Sequence, residues 1–181
     1  MTYQSLADIY AMLARAHLTF AAGIANLNDA QTQFRPAADA WTIEEILEHL
    51  AITNGGFVRI NYKLIKQAEA AGAPPLPGLN LKHILLTDDG QPNPLKFPAP
   101  ETVKPKGGQR LSESCAKIEQ AHTDIQAAQS RLAASDCSLP TFPHPAVGPL
   151  NAYQWLIVYG EHMDRHRQQI ERLKAAPGFP V

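Results

Sequence analysis

The sequence predicts an all-α protein, a four-helix bundle in which a long proline-rich crossover joins the second and third helices. All 15 prolines lie at Pro36, within 74–105, within 140–149 or in the last five residues, which leaves four proline-free stretches. Because proline breaks helix interiors, these stretches are the helix candidates. Each stretch carries an apolar stripe with helical spacing. No stretch alternates apolar and polar residues for long enough to propose a sheet.

The first two stretches, 1–35 and 37–73, each predict one long helix. The second opens with a predicted capping box, Thr42 with Glu45, which satisfies free amides of the first turn. It ends at Gly72, because glycine followed closely by proline is a helix stop signal. The stripe of the first helix has alternating steps of four and three residues and consists of Leu6, Tyr10, Leu13, His17, Phe20, Ile24 and Leu27.

The third and fourth stretches, 106–139 and 150–176, repeat this pattern. The third stripe runs from Leu111 to Leu132. The fourth helix opens at Asn151, with Gln154 as its predicted capping partner. Four amphipathic helices bury their stripes only against one another, which favours a bundle.

The connection from Gly72 to Arg110 is the irregular part of the sequence. It holds eight prolines and is too long for an ordinary bundle turn, so it is either mobile or laid across the bundle as a crossover or lid. One apolar cluster favours packing over disorder, and it consists of Leu79, Leu81, Ile84, Leu85 and Leu86.

Composition and charge favour one soluble globular domain over residues 1–181. Of these residues 45% are hydrophobic and 18% charged, with 16 basic against 17 acidic side chains. Without a run of Lys or Arg there is no electrostatic footprint for nucleic acid or anionic lipid, so a small-molecule partner is expected. The N-terminus lacks a basic signal region, and the longest apolar run, Trp155 to Tyr159, is far shorter than a bilayer span. Cys115 and Cys137 show no C-x-x-C spacing, so we expect reduced thiols in a cytoplasmic protein.

Two histidines interrupt the apolar stripe of the fourth predicted helix. His162 and His166 point the same way as Trp155 and Ile170, at the i, i+4 spacing that lets both imidazoles approach one ion. An unsatisfied buried polar group costs about 1–3 kcal/mol, so both rings need partners, and a divalent metal ion satisfies both. The alternative is that each histidine bonds a carbonyl or buried side chain and has no further role.

A metal site needs at least one more ligand, and three histidines on the other helices are candidates. His17 and His122 occupy stripe positions, whereas His49 lies about 110° from the centre of its helix's apolar face. Periodicity therefore ranks His17 and His122 above His49. Spacing alone leaves the choice open.

Two segments of the chain resemble the DinB-like (YfiT-like) superfamily of bacterial metalloproteins. The segment 40–50, AWTIEEILEHL, is similar to the W-[ST]-x-x-[ED]-x-x-x-H-L segment that opens the second helix of this family. The segment 144–173, HPAVGPLNAYQWLIVYGEHMDRHRQQIERL, is similar to a subgroup pattern of H-P-x-x-G-x-L, W-L and H-x-x-R-H-x-x-Q-I. Between them, KFPAPETVKPKGG resembles the family's proline-bearing linker.

The resemblance implies a four-helix bundle with a divalent ion held by three histidines. By position in the motifs these are His49, His162 and His166. The resemblance therefore favours His49 over His17 and His122 as the third ligand. His17 and His122 match no family ligand and become core or pocket-lining residues that hydrogen-bond one another.

Three neutral imidazoles leave at least one coordination position open, as in catalytic zinc sites. The family resemblance implies either a hydrolase, acting through an activated water, or a thiol-dependent transferase or isomerase using a small thiol such as bacillithiol or mycothiol. Nitrogen donors suit zinc, nickel, Fe(II) or copper, so the identity of the ion is left open by the residues. Zinc or nickel is the expected cofactor, with iron or manganese as alternatives. A homodimer is expected by analogy with similar proteins.

Other polar residues near the two motifs are expected to have roles other than binding the ion. Gln169 lies one turn after Arg165 and either orients an imidazole or packs between helices. His144 precedes a proline and fixes the entry into the last helix, with a role in the pocket as the alternative. Glu161 and Asp164 project off the core stripe and are expected to be solvated charges.

Glu48 is expected to point away from both the helix core and the metal ligands. No general base is predicted. Two further classes remain open beside an enzyme: a non-catalytic bundle that binds a metal or small ligand, and a metal-free interaction module.

Overall fold

Four long helices dominate the computed structural model, which describes residues 2–87 and 99–181. The capping boxes predicted at Thr42 and Asn151 are confirmed, and Gly72 ends its helix in the left-handed conformation with φ 66°. Within the described ranges no helix is long and apolar enough to cross a membrane. The helices are α1 (Leu6–Ile24), α2 (Asp29–Thr32), α3 (Ile43–Ala71), α4 (Leu111–Ala127), α5 (Gln129–Ala134) and α6 (Ala152–Lys174).

The long helices α1 and α6 pack side by side and run in the same direction. Near the start of α1, Met12 lies against Gly160, and at the other end the Lys174 ammonium donates to the Gly23 carbonyl. A Cβ at Gly160 would lie 2.3 Å from the Met12 sulfur, so any larger residue there must displace the end of the Met12 side chain.

The helices α3 and α4 also run parallel to each other, and α3 is antiparallel to α6. The Tyr62 hydroxyl donates to the Asp124 carbonyl (3.0 Å) near the end of α4, whereas Lys106 and Gly107, just before α4, contact Glu48 near the start of α3. The bundle is closed between α1 and α4 by a buried hydrogen bond from Tyr10 to a carbonyl of α4.

This parallel arrangement explains why the connection between α3 and α4 is long. Gly72 lies at one end of α3 and Lys106 at the other, so the chain must travel the length of a 29-residue helix, about 43 Å. The expected packing of the apolar cluster is confirmed for Leu79, Leu81, Ile84 and Leu85, which pack against the core. Residues 88–98 lie outside the described residues, so the full course of the crossover stays a prediction.

Short strands accompany the bundle, which corrects the expectation of a purely helical chain. β1 (Thr2–Tyr3) pairs with β2 (Leu81–Lys82), and β3 (Thr141–His144) pairs with β4 (Gly148–Asn151), both antiparallel. Strands of two to four residues are too short for an alternating pattern to reveal them. Each pair joins a segment outside the bundle to the start of a long helix.

The third predicted helix is divided in the structure. α4 and α5 meet at Ala128, whose backbone angles are still nearly helical. Both Cys115 and Cys137 are free thiols, as expected.

We predict that Gly160→Leu destabilises the fold by about 1–3 kcal/mol, because the new side chain must displace Met12 and Leu13 from a packed interface. Gly55→Leu is the matched control, since the nearest atom to its Cβ is the end of the Arg59 side chain at 3.5 Å. Urea unfolding should show a loss of stability only for Gly160→Leu. Equal midpoints for the two variants would contradict the close packing of α1 on α6.

Candidate metal centre

His49 reaches the interior from the second turn of α3. The capping box at Thr42 fixes where this helix begins, and His49 lies seven residues later, with only 3% of its surface exposed. Its Nδ1 donates to the Val103 carbonyl at 2.7 Å, and its ring packs 5.1 Å from the Trp41 ring. The opposite ring nitrogen, Nε2, is thereby directed toward α6.

His162 and His166 meet His49 from α6. The Nε2 atom of His162 lies 3.3 Å from Nε2 of His49 and 3.2 Å from Nε2 of His166. One ligand nitrogen from each of the three rings lies within 4.8 Å of the other two, so the group could hold a metal ion. The structure therefore brings together the three histidines that the family resemblance selected.

Hydrogen bonds set the protonation of two of these rings. Nδ1 of His49 faces a carbonyl, and Nδ1 of His166 lies 2.9 Å from the Gln169 Oε1. An oxygen of this kind accepts only, so each Nδ1 carries the proton and each Nε2 presents a lone pair. Nδ1 of His162 is buried and has no partner within the described residues. Lone pairs that converge in this way are the donor set that a divalent transition-metal ion requires.

Burial keeps the three rings neutral. It lowers the pKa of His49, lowers that of His166 to about 3, and lowers that of His162 well below its ordinary value. For His162, charge on His166 and on His49 would lower the pKa further. Neutral imidazole is the form that binds metal.

Glu161 is buried, which corrects the expectation that it is a solvated charge. Its exposed fraction is 1%, and its Oε2 accepts backbone amides from Ile84 (2.9 Å), Leu85 (2.6 Å) and Leu86 (3.3 Å). Its Oε1 lies 2.6 Å from Nδ1 of His83. A helical stripe locates only the face toward other helices, and the 72–87 segment covers a different face of α6.

Glu48 is buried as well, because the long connection packs against this face of α3. Its carboxylate accepts the amides of Lys106 and Gly107, both at 3.0 Å. The sequence contained one signal for both carboxylates, because the dipeptide Glu-His occurs at 48–49 and again at 161–162. Each ligand-forming helix thus binds one flank of the long connection immediately before its histidine.

His17 and His122 lie apart from the three-histidine group, between α1 and α4. Their rings stack with centroids 3.8 Å apart and an interplanar angle of 5°. The expectation that they hydrogen-bond one another is wrong, because stacked rings direct their nitrogens sideways, and both Nδ1 atoms lack a partner among the described residues. His17 Nε2 instead lies 3.0 Å from the Glu119 carboxylate.

The remaining predicted residues, Gln169, Arg165 and His144, are related to the three-histidine group in different ways. Gln169 contacts His166 directly, whereas Arg165 acts on His162 and His166 through its charge, which lowers the pKa of both. His144 lies on β3, with its ring 5.3 Å from the Trp155 ring.

Comparison with known proteins decides the family. The sequence model of the DinB superfamily matches residues 12–170. The chain belongs to the DinB superfamily. This confirms the resemblance of the two motif segments. The DinB chain is 25% identical over 153 residues to the protein YuaE of Bacillus subtilis (strain 168), covering 82% of this chain and 86% of YuaE.

Two solved four-helix bundles share the fold of this DinB chain. TT2238, a four-helix bundle protein, has a TM-score of 0.63 and 17% identity, covering 93% of this chain and 99% of its own. YfiT from Bacillus subtilis, described as a probable metal-dependent hydrolase with an unusual four-helix bundle topology, has a TM-score of 0.61 and 16% identity. That match covers 97% of this chain and 89% of YfiT. The predicted bundle is confirmed.

We predict that Glu161→Gln lowers the free energy of unfolding by about 1.5–3 kcal/mol, because a neutral amide oxygen accepts the three backbone amides more weakly than the charged Oε2 does. Hydrogen exchange of the amides at 84–86 should accelerate in parallel. Asp164→Asn is the control, since Asp164 is only partly buried and pairs with its neighbour Arg167. Unchanged exchange in Glu161→Gln would contradict this role of the carboxylate.

Stability of the metal-free protein should fall as pH decreases. Since the folded pKa values of His49, His162 and His166 lie below the ordinary 6.5, the unfolded chain binds more protons. Their contribution is complete above about pH 6.5 and is lost as the pH falls toward 3. Urea titrations in the presence of a chelator should show this slope, and His166→Gln should reduce it. A flat profile between pH 7.5 and 5 would contradict burial of neutral rings.

Proposed function

We propose that this DinB-superfamily chain is a metal-dependent enzyme that activates water or a thiol against a small electrophilic substrate. His49, His162 and His166 would hold the ion through their Nε2 atoms. A divalent ion with an open position supplies Lewis acidity and lowers the pKa of a water or thiol bound to it. The observation that carries the proposal is the convergence of three neutral imidazoles in a buried position.

The chain's own residues support this role by fixing the rings. The Val103 carbonyl and the Gln169 side chain orient two of the imidazoles, and such partners raise the basicity of ligand nitrogens. The two carboxylates at 48 and 161 bind the flanks of the connection beside the group. We infer that the described flanks of the connection, 72–87 and 99–110, pack beside the centre and limit access to small molecules. Zinc or nickel fits the all-nitrogen donor set best.

A second candidate is a non-catalytic bundle in which the ion serves stability. One observation favours it: His49 bonds to the connection through Val103, and its Nε2 lies 3.3 Å from Nε2 of His162 on α6. An ion at this point would therefore fasten the connection to two helices. The two candidates differ in whether the ion accepts an exogenous ligand.

The decisive experiment is elemental analysis of protein purified without a metal-affinity tag. About one divalent ion per chain is expected. His49→Ala, His162→Ala and His166→Ala should each lose the ion, whereas His17→Ala and His122→Ala, which change the stacked pair between α1 and α4, should keep it. Metal-free wild-type protein after loading with zinc or nickel would refute both candidates.

Cobalt-substituted protein then separates the two candidates. Azide or a small thiol should shift the visible spectrum if a coordination position is open, and an unchanged spectrum would favour the structural role.

A further inference from the structure

One face of α3 leads from the three-histidine group to the β3–β4 hairpin. His49, Gly56 and Lys63 follow one another at intervals of seven residues, about two helical turns, so they share this face. At its far end the Lys63 ammonium lies 4.9 Å from the centre of the Phe142 ring on β3. Gly56 has no side chain, so none projects from the middle of this face. The atom nearest to the position that a Cβ would take there is Nη2 of Arg59, at 3.9 Å.

A row of aromatic rings from α3, α6 and the hairpin lies near this face of α3, and we call the face and the row together the groove. The Phe57 ring lies 5.5 Å from the His162 ring and 5.5 Å from the Trp155 ring. The Trp155 ring in turn lies 5.3 Å from that of His144. Phe57, His162 and His144 are each only partly buried, whereas Trp155 is buried, so a ligand can reach the row.

Two polar groups along the groove, His144 on the hairpin and Arg59 beside Gly55 and Gly56, are available to a ligand. Nδ1 of His144 accepts the Ala146 amide at 3.2 Å, so the neutral ring carries its proton on Nε2. That nitrogen has no partner in the part of the chain that is described. The exposed Arg59 guanidinium folds back over Gly55, with Nη1 3.5 Å from its Cβ position, and forms no ion pair with any described carboxylate.

The charge on this part of α3 is positive. Residues 57–67 include Arg59, Lys63 and Lys66 and contain no acidic residue. A guanidinium binds carboxylate or phosphate oxygens through two parallel hydrogen bonds, and a neutral imidazole N–H can add one more.

We propose that this groove binds an anionic substrate, with Arg59 and His144 holding its carboxylate or phosphate group while the reacting end lies at the three histidines. The inference rests on the proposed function and adds the substrate class to it. Phe57 and Trp155 would contact the apolar part of the molecule. The occupant is therefore a small molecule with an electrophilic centre, an apolar body and a distal anion.

The test uses cobalt-substituted protein and two series of thiols, ω-mercaptocarboxylates and ω-mercaptoalcohols of matched length. Dissociation constants come from the cobalt–thiolate absorption. At one chain length the carboxylate should bind about tenfold more tightly than the alcohol, because its far end reaches Arg59. Arg59→Gln should remove this advantage and leave the alcohol unaffected, and His144→Asn should reduce it about threefold.

Arg131→Gln is the matched control, since it removes the same charge from an arginine that pairs with Glu69 on the surface. It should keep the full preference for carboxylate.

If neither thiol binds, both the proposed function and the groove proposal are overturned. If both thiols bind equally at every length, or if Arg59→Gln and Arg131→Gln have equal effects, only the groove proposal is overturned. A phosphate-terminated thiol distinguishes the two anions by its affinity relative to the carboxylate.

Discussion

The site depends on two buried carboxylates that bind backbone amides. Glu48 on α3 and Glu161 on α6 each accept amides from one flank of the connection, and each directly precedes a histidine of the three-membered group. A buried charge is costly unless it is hydrogen-bonded, so these residues specify the position of the flanks strongly. The same contacts bring the Val103 carbonyl to His49. Orientation of the imidazoles is therefore coupled to the packing of the connection.

The hydrophobic periodicity was sufficient to predict the four long helices, and local sequence motifs predicted the caps of two of them. The stripes are long, the capping boxes at Thr42 and Asn151 are local, and the prolines mark the boundaries clearly. The features that periodicity did not predict lie outside the contacts between helices. The short strands and the burial of Glu48 and Glu161 depend on segments that pack from the sides of the bundle, and a helical wheel contains no information about them.

For the site, the pair His162 and His166 could be predicted from the residues themselves, because two imidazoles in an apolar stripe need a shared partner. The third histidine of the group, His49, could not be predicted from the residues alone. Periodicity favoured His17 and His122, which do lie inward but meet each other at a different contact between helices. His49 was selected only by the family motif, since its position off the stripe centre becomes interior through the connection that covers it.

The long sequence separation between the histidines of the three-membered group has a consequence for synthesis of the chain. His49 and His162 are 113 positions apart, and the pair on α6 is synthesised after α1, α3 and α4. The ribosome therefore synthesises the connection and α4 before these imidazoles can meet. A nascent chain that stalls before α6 has only one of the three, so the ion cannot be bound by all three histidines until α6 has been made.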